Sequence, residues 1–307
     1  MYRETITMGF NKFAFHWFFP ELVAINEGLF EENNIICRLV ELDKEGWADK
    51  SDLYITAMQK GLTDLYHCGE WVGVVRVLRG TAGRIAAKSR PTSETLNSSF
   101  TIFVSEKSSI TSPEDLAGKP VAVEAGTGSY YAARADLERY LTKEEIKLVS
   151  ISEPHERFKA LVRGDVVAAS LLGPWAKIAN KNGFRPILKT GRDNPTLLII
   201  ADRVSDEVAS RVIKTLNEAI IRINRDPWRY NNLYFKYFRG AVIAGGVDEK
   251  WIEGMESELL VDRWSPWEPY LYNELVEVSR WLLERNLISK IPGPDSVRTS
   301  LWSMTGP

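Results

Sequence analysis

Residues 112–141 read SPEDLAGKPVAVEAGTGSYYAARADLERYL. Ser112, Pro113, Glu114 and Asp115 form an acidic, capped turn, and Gly118 leads from it into a short apolar strand over 121–123. That strand ends at Glu124, and Gly126-Thr127-Gly128-Ser129 then open a helix that starts near Tyr130. The glycines permit a tight turn. The free N–H groups of the helix start, with the Thr127 and Ser129 hydroxyls, are able to hold an anion or a carbonyl oxygen. A strand, glycine turn and helix in this order place their side chains at the carboxyl edge of a sheet, where open α/β sheets bind ligands. By itself the same pattern is also an ordinary capped strand-to-helix turn.

Working outward, 307 residues suffice for about two domains or one large one. A hydrophobic content of 44% with 26% charged residues is that of a globular protein. The formal net charge of −2 announces no polybasic surface, so nucleic acid is not an expected partner. No run of 18 apolar residues occurs, so a membrane-spanning helix is not expected. Cys37 and Cys68 are the two cysteines; they exclude a disulfide framework and read as two reduced thiols rather than one bridge. No apolar leader precedes the first strand, so the sequence as written predicts a cytoplasmic protein, or an exported one if a leader has been removed.

Strands are expected over 6–10, 35–41, 62–67 and 83–89, alternating with helices over 20–27 and 50–60. Gly28 fits the C-cap of the first helix. The polar stretch 90–99 is a candidate boundary. Strands follow over 100–105, 121–123, 147–151, 166–172 and 196–201, with helices over 130–142 and 154–162. The unbroken apolar run 166–172 suits a strand buried on both faces. From residue 205 the pattern turns helical, with helices expected over 205–224, 228–239, 248–258 and 269–286. Alternating strands and helices imply a largely parallel α/β architecture.

Three phrases occur in order: LVAINEGLFEENNI (22–35), SPEDLAGKPVAVEAGTGSYYA (112–132) and FKALVRGDVVAASLLGPWAKIA (158–179). Together they resemble the type II periplasmic-binding-protein superfamily, in its nitrate, sulfonate, taurine and thiamine-pyrimidine branch. The resemblance rests on Ala24-x-x-x-Gly28-Leu29-Phe30, on Ser112-x-x-Asp115-Leu116-x-Gly118-Lys119-x-Val121-Ala122-Val123, and on Ala160-Leu161-x-x-Gly164-x-Val166-x-Ala168 leading to Pro174. It spans roughly residues 6–240. It implies an α/β, two-lobed fold, each lobe a mostly parallel sheet flanked by helices, with the ligand cleft between them. The first lobe is then 1–96 plus 199–307 and the second 100–194, with crossings near 97–99 and 195–198. Hinge closure around a ligand is the expected motion.

In such a fold the loops after strands face the cleft. That selects Asn11, His16 and Trp17; Gly69, Glu70 and Trp71; Glu124, Thr127, Gly128, Ser129 and Tyr130; and Pro174 with Trp175. Trp17, Trp71, Tyr130 and Trp175 either stack on a planar ligand or pack the lobe rims. Glu70 and Glu124 favour a ligand with amino or amidine donors, the alternative being two solvated or helix-capping acids. His-Glu-x-x-His, Cys-x-x-Cys and EF-hand patterns are lacking, so neither a metal nor a cofactor is expected. The turn at Gly126 lacks the Gly-Lys-Ser/Thr of a phosphate-binding P-loop.

The leading expectation is a non-catalytic solute-binding protein. It closes two lobes around a small, planar, amine-bearing ligand, such as a thiamine-related pyrimidine, and feeds the permease of an ABC transporter. Sulfonate or nitrate requires more positive charge than these loops hold. The alternative is a cytosolic enzyme on the same fold, like the thiamine-pyrimidine synthases or a decarboxylase or dehydratase, with His16 or His67 as acid/base. The cysteine-rich segment of the fungal synthases is lacking here. A DNA-binding regulator is set aside, because no helix-turn-helix fits before Ile6.

Overall fold

A computed structural model describes residues 3–42, 50–92, 100–191 and 194–303. The first lobe starts with β1 (Glu4–Phe10), α1 (Phe19–Asn26), α2 (Leu29–Glu32), β2 (Ile35–Glu41), α3 (Lys50–Gln59), β3 (Leu65–Gly69), α4 (Glu70–Leu78) and β4 (Gly83–Ser89). The second lobe holds β5 (Phe100–Val104), β6 (Pro120–Val123), α5 (Gly128–Leu137), β7 (Lys147–Ser150), α6 (Pro154–Arg163), β8 (Ala168–Leu171), α7 (Gly173–Lys181) and β9 (Arg185–Thr190). The chain then returns through β10 (Thr196–Ala201) to α8 (Asp206–Arg225), α9 (Asn231–Ala244), α10 (Tyr272–Glu284) and α11 (Ser300–Ser303).

Two five-stranded sheets result, in the orders β2-β1-β3-β10-β4 and β7-β6-β8-β5-β9. In each, four strands point the same way and one runs against its two neighbours. The reversed strands are β10 and β5, which enter from the opposite lobe. Parallel neighbours need a helical crossover, and α1, α3, α5 and α6 supply it. The carboxyl ends of the parallel strands in both sheets therefore meet at the gap between the lobes. β10, with the sequence TLLIIA, is buried at all six positions, as a strand flanked on both sides must be.

Local chemistry explains most boundaries. Ser205 accepts a hydrogen bond from Val208 N at 3.3 Å, and Asp206 and Glu207 occupy the positive first turn of α8. Val208, Val212, Leu216, Ala219 and Ile223 then form its buried stripe. A helix over 248–258 does not form. Gly254 adopts φ +74 and splits the segment into two 3-10 turns, Glu249–Ile252 and Met255–Ser257. Three elements carried too weak a local signal to be foreseen: α4, α7 and β9. The crossing expected over 97–99 lies outside the described residues. On the return, β10 pairs with β3 from Thr196 onward.

The lobes are not joined by their crossings alone. Trp175 Nε1 on α7 donates to Phe13 O at 2.9 Å, and Lys177 Nζ donates to Leu260 O at 3.0 Å. Phe158 on α6 meets Trp251 edge-on, with ring centroids 5.4 Å apart. Phe158, Trp175 and Ile178 consequently belong to the same buried cluster as the first-lobe core. A smaller core under the outer part of the second sheet is built from Ile102, Val104, Val121, Val123 and Leu137. Cys37 and Cys68 are both free thiols.

Candidate functional site

A cavity of about 140 Å³ lies where the strand ends of the two sheets face each other. Its size is close to that of cavities that accept benzene. The first lobe contributes Asn11 after β1, His67, Cys68 and Gly69 from the end of β3, Lys50 and Tyr54 from α3, and Arg76 from α4. The second lobe contributes Glu124 after β6, the Thr127-Gly128-Ser129 turn, and Arg157 on α6. Phe100, Trp17 and Leu172 supply apolar wall, and Asn194 and Pro195 of the crossing close one side.

The glycine turn of the second lobe is shaped from within. Glu124 N donates to Ser129 Oγ at 2.9 Å, and Thr127 Oγ1 donates to Glu124 O at 2.9 Å. Both hydroxyls thus fix the turn, and α5 opens at the cavity wall through Thr127, Gly128 and Ser129. Gly128 is required there because a Cβ would stand 2.9 Å from the Phe100 ring.

Charge is concentrated at the cavity. Lys50 Nζ lies 2.7 Å from Glu153 Oε1 and 3.8 Å from Glu124 Oε1. Asn11 Nδ2 donates to Glu153 Oε2 at 3.4 Å. Burial pushes the Glu153 carboxyl up, but the Lys50 ammonium outweighs it and holds the group below its ordinary value. Arg157 is fully buried and donates to the carbonyls of Ser170, Ile151 and Ser152, with Nη1 4.0 Å from Glu124 Oε2. Arg76 is 4% exposed, its guanidinium over the rings of Tyr54 at 4.2 Å and Tyr66 at 5.0 Å. Among the described residues, its Nη1 has no hydrogen-bond partner.

Of the residues singled out from sequence, Asn11, Trp17, Gly69, Glu124, Thr127, Gly128 and Ser129 line this cavity, as does His67. The others lie elsewhere. Glu70 opens α4 but turns to the far side, where it bonds Tyr270 and Asn194. Trp71 lies beside Trp281 on that same outer side, 5.7 Å between centroids. Tyr130 is one residue past the turn, and its hydroxyl accepts from Arg134 Nη1 at 3.2 Å. Pro174 and Trp175 begin α7, and Trp175 is wholly buried between the lobes. His16 is buried against Gly173, and burial with the nearby Lys177 ammonium pushes its ring down to about 3. His67 does reach the wall, but Nδ1 sits 3.2 Å from Trp17 O and Nε2 3.0 Å from Glu21 Oε1.

Sequence reading missed Lys50, Arg76 and Arg157. All three sit on helices, not in the loops that follow strands. One signal was available: α4 reads EWVGVVRVL, and an arginine alone in an apolar run is a buried charge in need of a partner.

The sequence profile described as "ABC transporter, phosphonate, periplasmic substrate-binding protein" matches residues 48–229, more than half of the chain. The chain belongs to that family. This substrate-binding protein is thus a component of an ABC transporter, and the resemblance to type II periplasmic-binding proteins is borne out. Its fold matches the alkanesulfonate-binding protein SsuA from Xanthomonas axonopodis pv. citri bound to MOPS, with a TM-score of 0.71 at 18% identity, covering 96% of this chain and 98% of that one. SsuA from Escherichia coli gives the same TM-score and identity, covering 96% of this chain and 91% of that one. The desulfurization enzyme DSZB matches with a TM-score of 0.58 at 18% identity, covering 95% of each chain. At such identities the likeness carries the fold and leaves the ligand to the residues of the cleft. No curated protein matches the substrate-binding protein by sequence. No helix among the described residues is long and apolar enough to cross a membrane.

Proposed function

We propose that the substrate-binding protein captures a small organic oxyanion of the phosphonate or sulfonate class and presents it to its transporter. One observation carries this reading: Arg76, buried at the cavity wall, has a guanidinium nitrogen without a hydrogen-bond partner among the described residues. A buried cation with an open donor is costly until an anion fills it, and guanidinium matches tetrahedral oxyanions well. The amides opening the ten-residue helix α5 add partial positive charge at the same cavity. Trp17, Phe100 and Val72 favour a compact apolar body behind the charged head.

The same geometry speaks against the amine-bearing pyrimidine expected from sequence. Glu124 and Glu153 already face Lys50 and Arg157, so neither carboxylate awaits a cation. Family membership also supports action outside the cytoplasm, which fractionation against a periplasmic marker tests. The ligand class is tested by calorimetric titration with phenylphosphonate, methanesulfonate and an aminopyrimidine. Binding of an oxyanion that falls at least 100-fold in Arg76→Met, with the far-UV spectrum unchanged, is the expected result. Binding of the aminopyrimidine alone would overturn the reading.

A further inference from the structure

Lys50 opens α3 in the first lobe, and its side chain is 9% exposed. Its ammonium reaches across the cleft to two carboxylates of the second lobe, at 2.7 Å from Glu153 and 3.8 Å from Glu124. Those carboxylates come from different elements, the end of β6 and the residue before α6, and their side chains are 7% and 14% exposed. Next to Lys50, Ser51 Oγ donates to Gly126 O at 3.2 Å, so the start of α3 is fastened to the glycine turn.

Two nearly buried carboxylates must have a counter-cation. Without Lys50 the two carboxylates would keep only Arg157, 4.0 Å from Glu124, and the second negative charge would offer an amine a subsite beside the cavity lined by Trp17, Tyr54 and Phe100. With it, an incoming amine must displace a tethered ammonium of equal charge. Tethering gives that ammonium an effective concentration of millimolar or more, which a dilute solute does not match. Arg76, whose Nη1 has no hydrogen-bond partner among the described residues, stands on the same wall and points to a ligand of the opposite charge.

We propose that Lys50 sets the charge selectivity of the cleft: it fills the amine subsite made by Glu124 and Glu153, and so reserves the cavity for anions. This rests on the oxyanion reading for the ligand's sign, but the role of Lys50 is measured separately. Benzylamine and phenylphosphonate are titrated calorimetrically into wild type, Lys50→Met and Glu153→Gln at neutral pH. The expected result is no measurable benzylamine binding by wild type and a gain of at least 30-fold in Lys50→Met. In Glu153→Gln the released ammonium is expected to tighten phenylphosphonate about 10-fold, with no gain for benzylamine. Benzylamine binding by wild type as tight as by a folded Lys50→Met overturns the proposal, as does a folded Lys50→Met without any gain.

Should Lys50→Met not fold, the test is made in Lys50→Gln, which removes the ammonium, keeps a hydrogen-bond donor for Glu153 and leaves both carboxylates in place. A threefold or larger gain for benzylamine is expected there, and no gain overturns the proposal. If wild type binds no phenylphosphonate, the oxyanion reading fails while the benzylamine comparison still decides the role of Lys50.

Discussion

The hydroxyl of Tyr270 donates to Glu70 Oε1 at 2.8 Å, joining the start of α4 to a residue 200 positions further along the chain. Asn194, on the return crossing, completes the arrangement. Its Nδ2 donates to Glu70 Oε2 at 3.1 Å and its Oδ1 accepts from Glu70 N at 3.0 Å. The carboxylate expected to meet ligand thus fastens the crossing between the lobes.

This fastening responds to pH. Burial pushes the Glu70 carboxyl up to about 7, with Glu274 and Glu277 adding to the rise and Tyr270 and Lys88 opposing it. The folded-state value lies above the ordinary 4.5, so the folded chain holds its proton more tightly. That contribution to stability is complete below pH 4.5 and is lost as pH rises through 7. Urea unfolding of wild type and Glu70→Gln at pH 5 and pH 8 measures it. Wild type should lose about 3 kcal/mol relative to the variant over that interval. Parallel pH profiles would contradict it.

Gly173 and His16 form a second coupled pair. Gly173 has φ +52, and a Cβ placed on it would stand 2.6 Å from the His16 ring. Gly173→Ala should therefore cost about 2–4 kcal/mol through backbone strain and overpacking. Adding His16→Ala removes the obstacle and leaves the strain. The double variant is expected to recover more than about 1 kcal/mol relative to the sum of the single changes. Simple additivity in chemical denaturation would mean that the two residues do not touch.

Cys68 reports on the cleft itself. It lines the cavity, and burial pushes its thiol up to about 11 although Arg76 pulls it down. From an ordinary value of 9.0 this leaves about 100-fold less thiolate at neutral pH. Iodoacetamide should label Cys68 at least that much more slowly in the folded protein than in urea, read by peptide mass spectrometry. Saturating oxyanion should slow the labelling further. Labelling as fast as that of the unfolded chain would remove Cys68 from the enclosed wall.

Much of the architecture was legible in short windows of sequence. The strands over 35–41, 83–89 and 196–201 were read to the residue, because apolar runs bounded by turns encode them locally. The Gly28 helix end was equally local, since φ +73 at that position favours glycine. By contrast, α4 and α7 follow a strand with almost no connecting loop, so no turn signal marks where strand becomes helix.

The site divides along the same line. That Glu124 and the Thr127–Ser129 turn stand at a sheet's carboxyl edge follows from the order of strand, glycine turn and helix. Sequence by itself therefore determined the two-lobed fold and part of the cleft wall. Which charges meet there was decided only by tertiary structure. Lys50 reaches Glu153 across 103 residues, and Arg76 faces the cavity because the register of α4 turns it there while Glu70, six residues earlier, points away. Backbone pattern is a property of neighbours in the chain. The sign of a binding cleft is a property of neighbours in space, and a single buried ammonium is enough to change it.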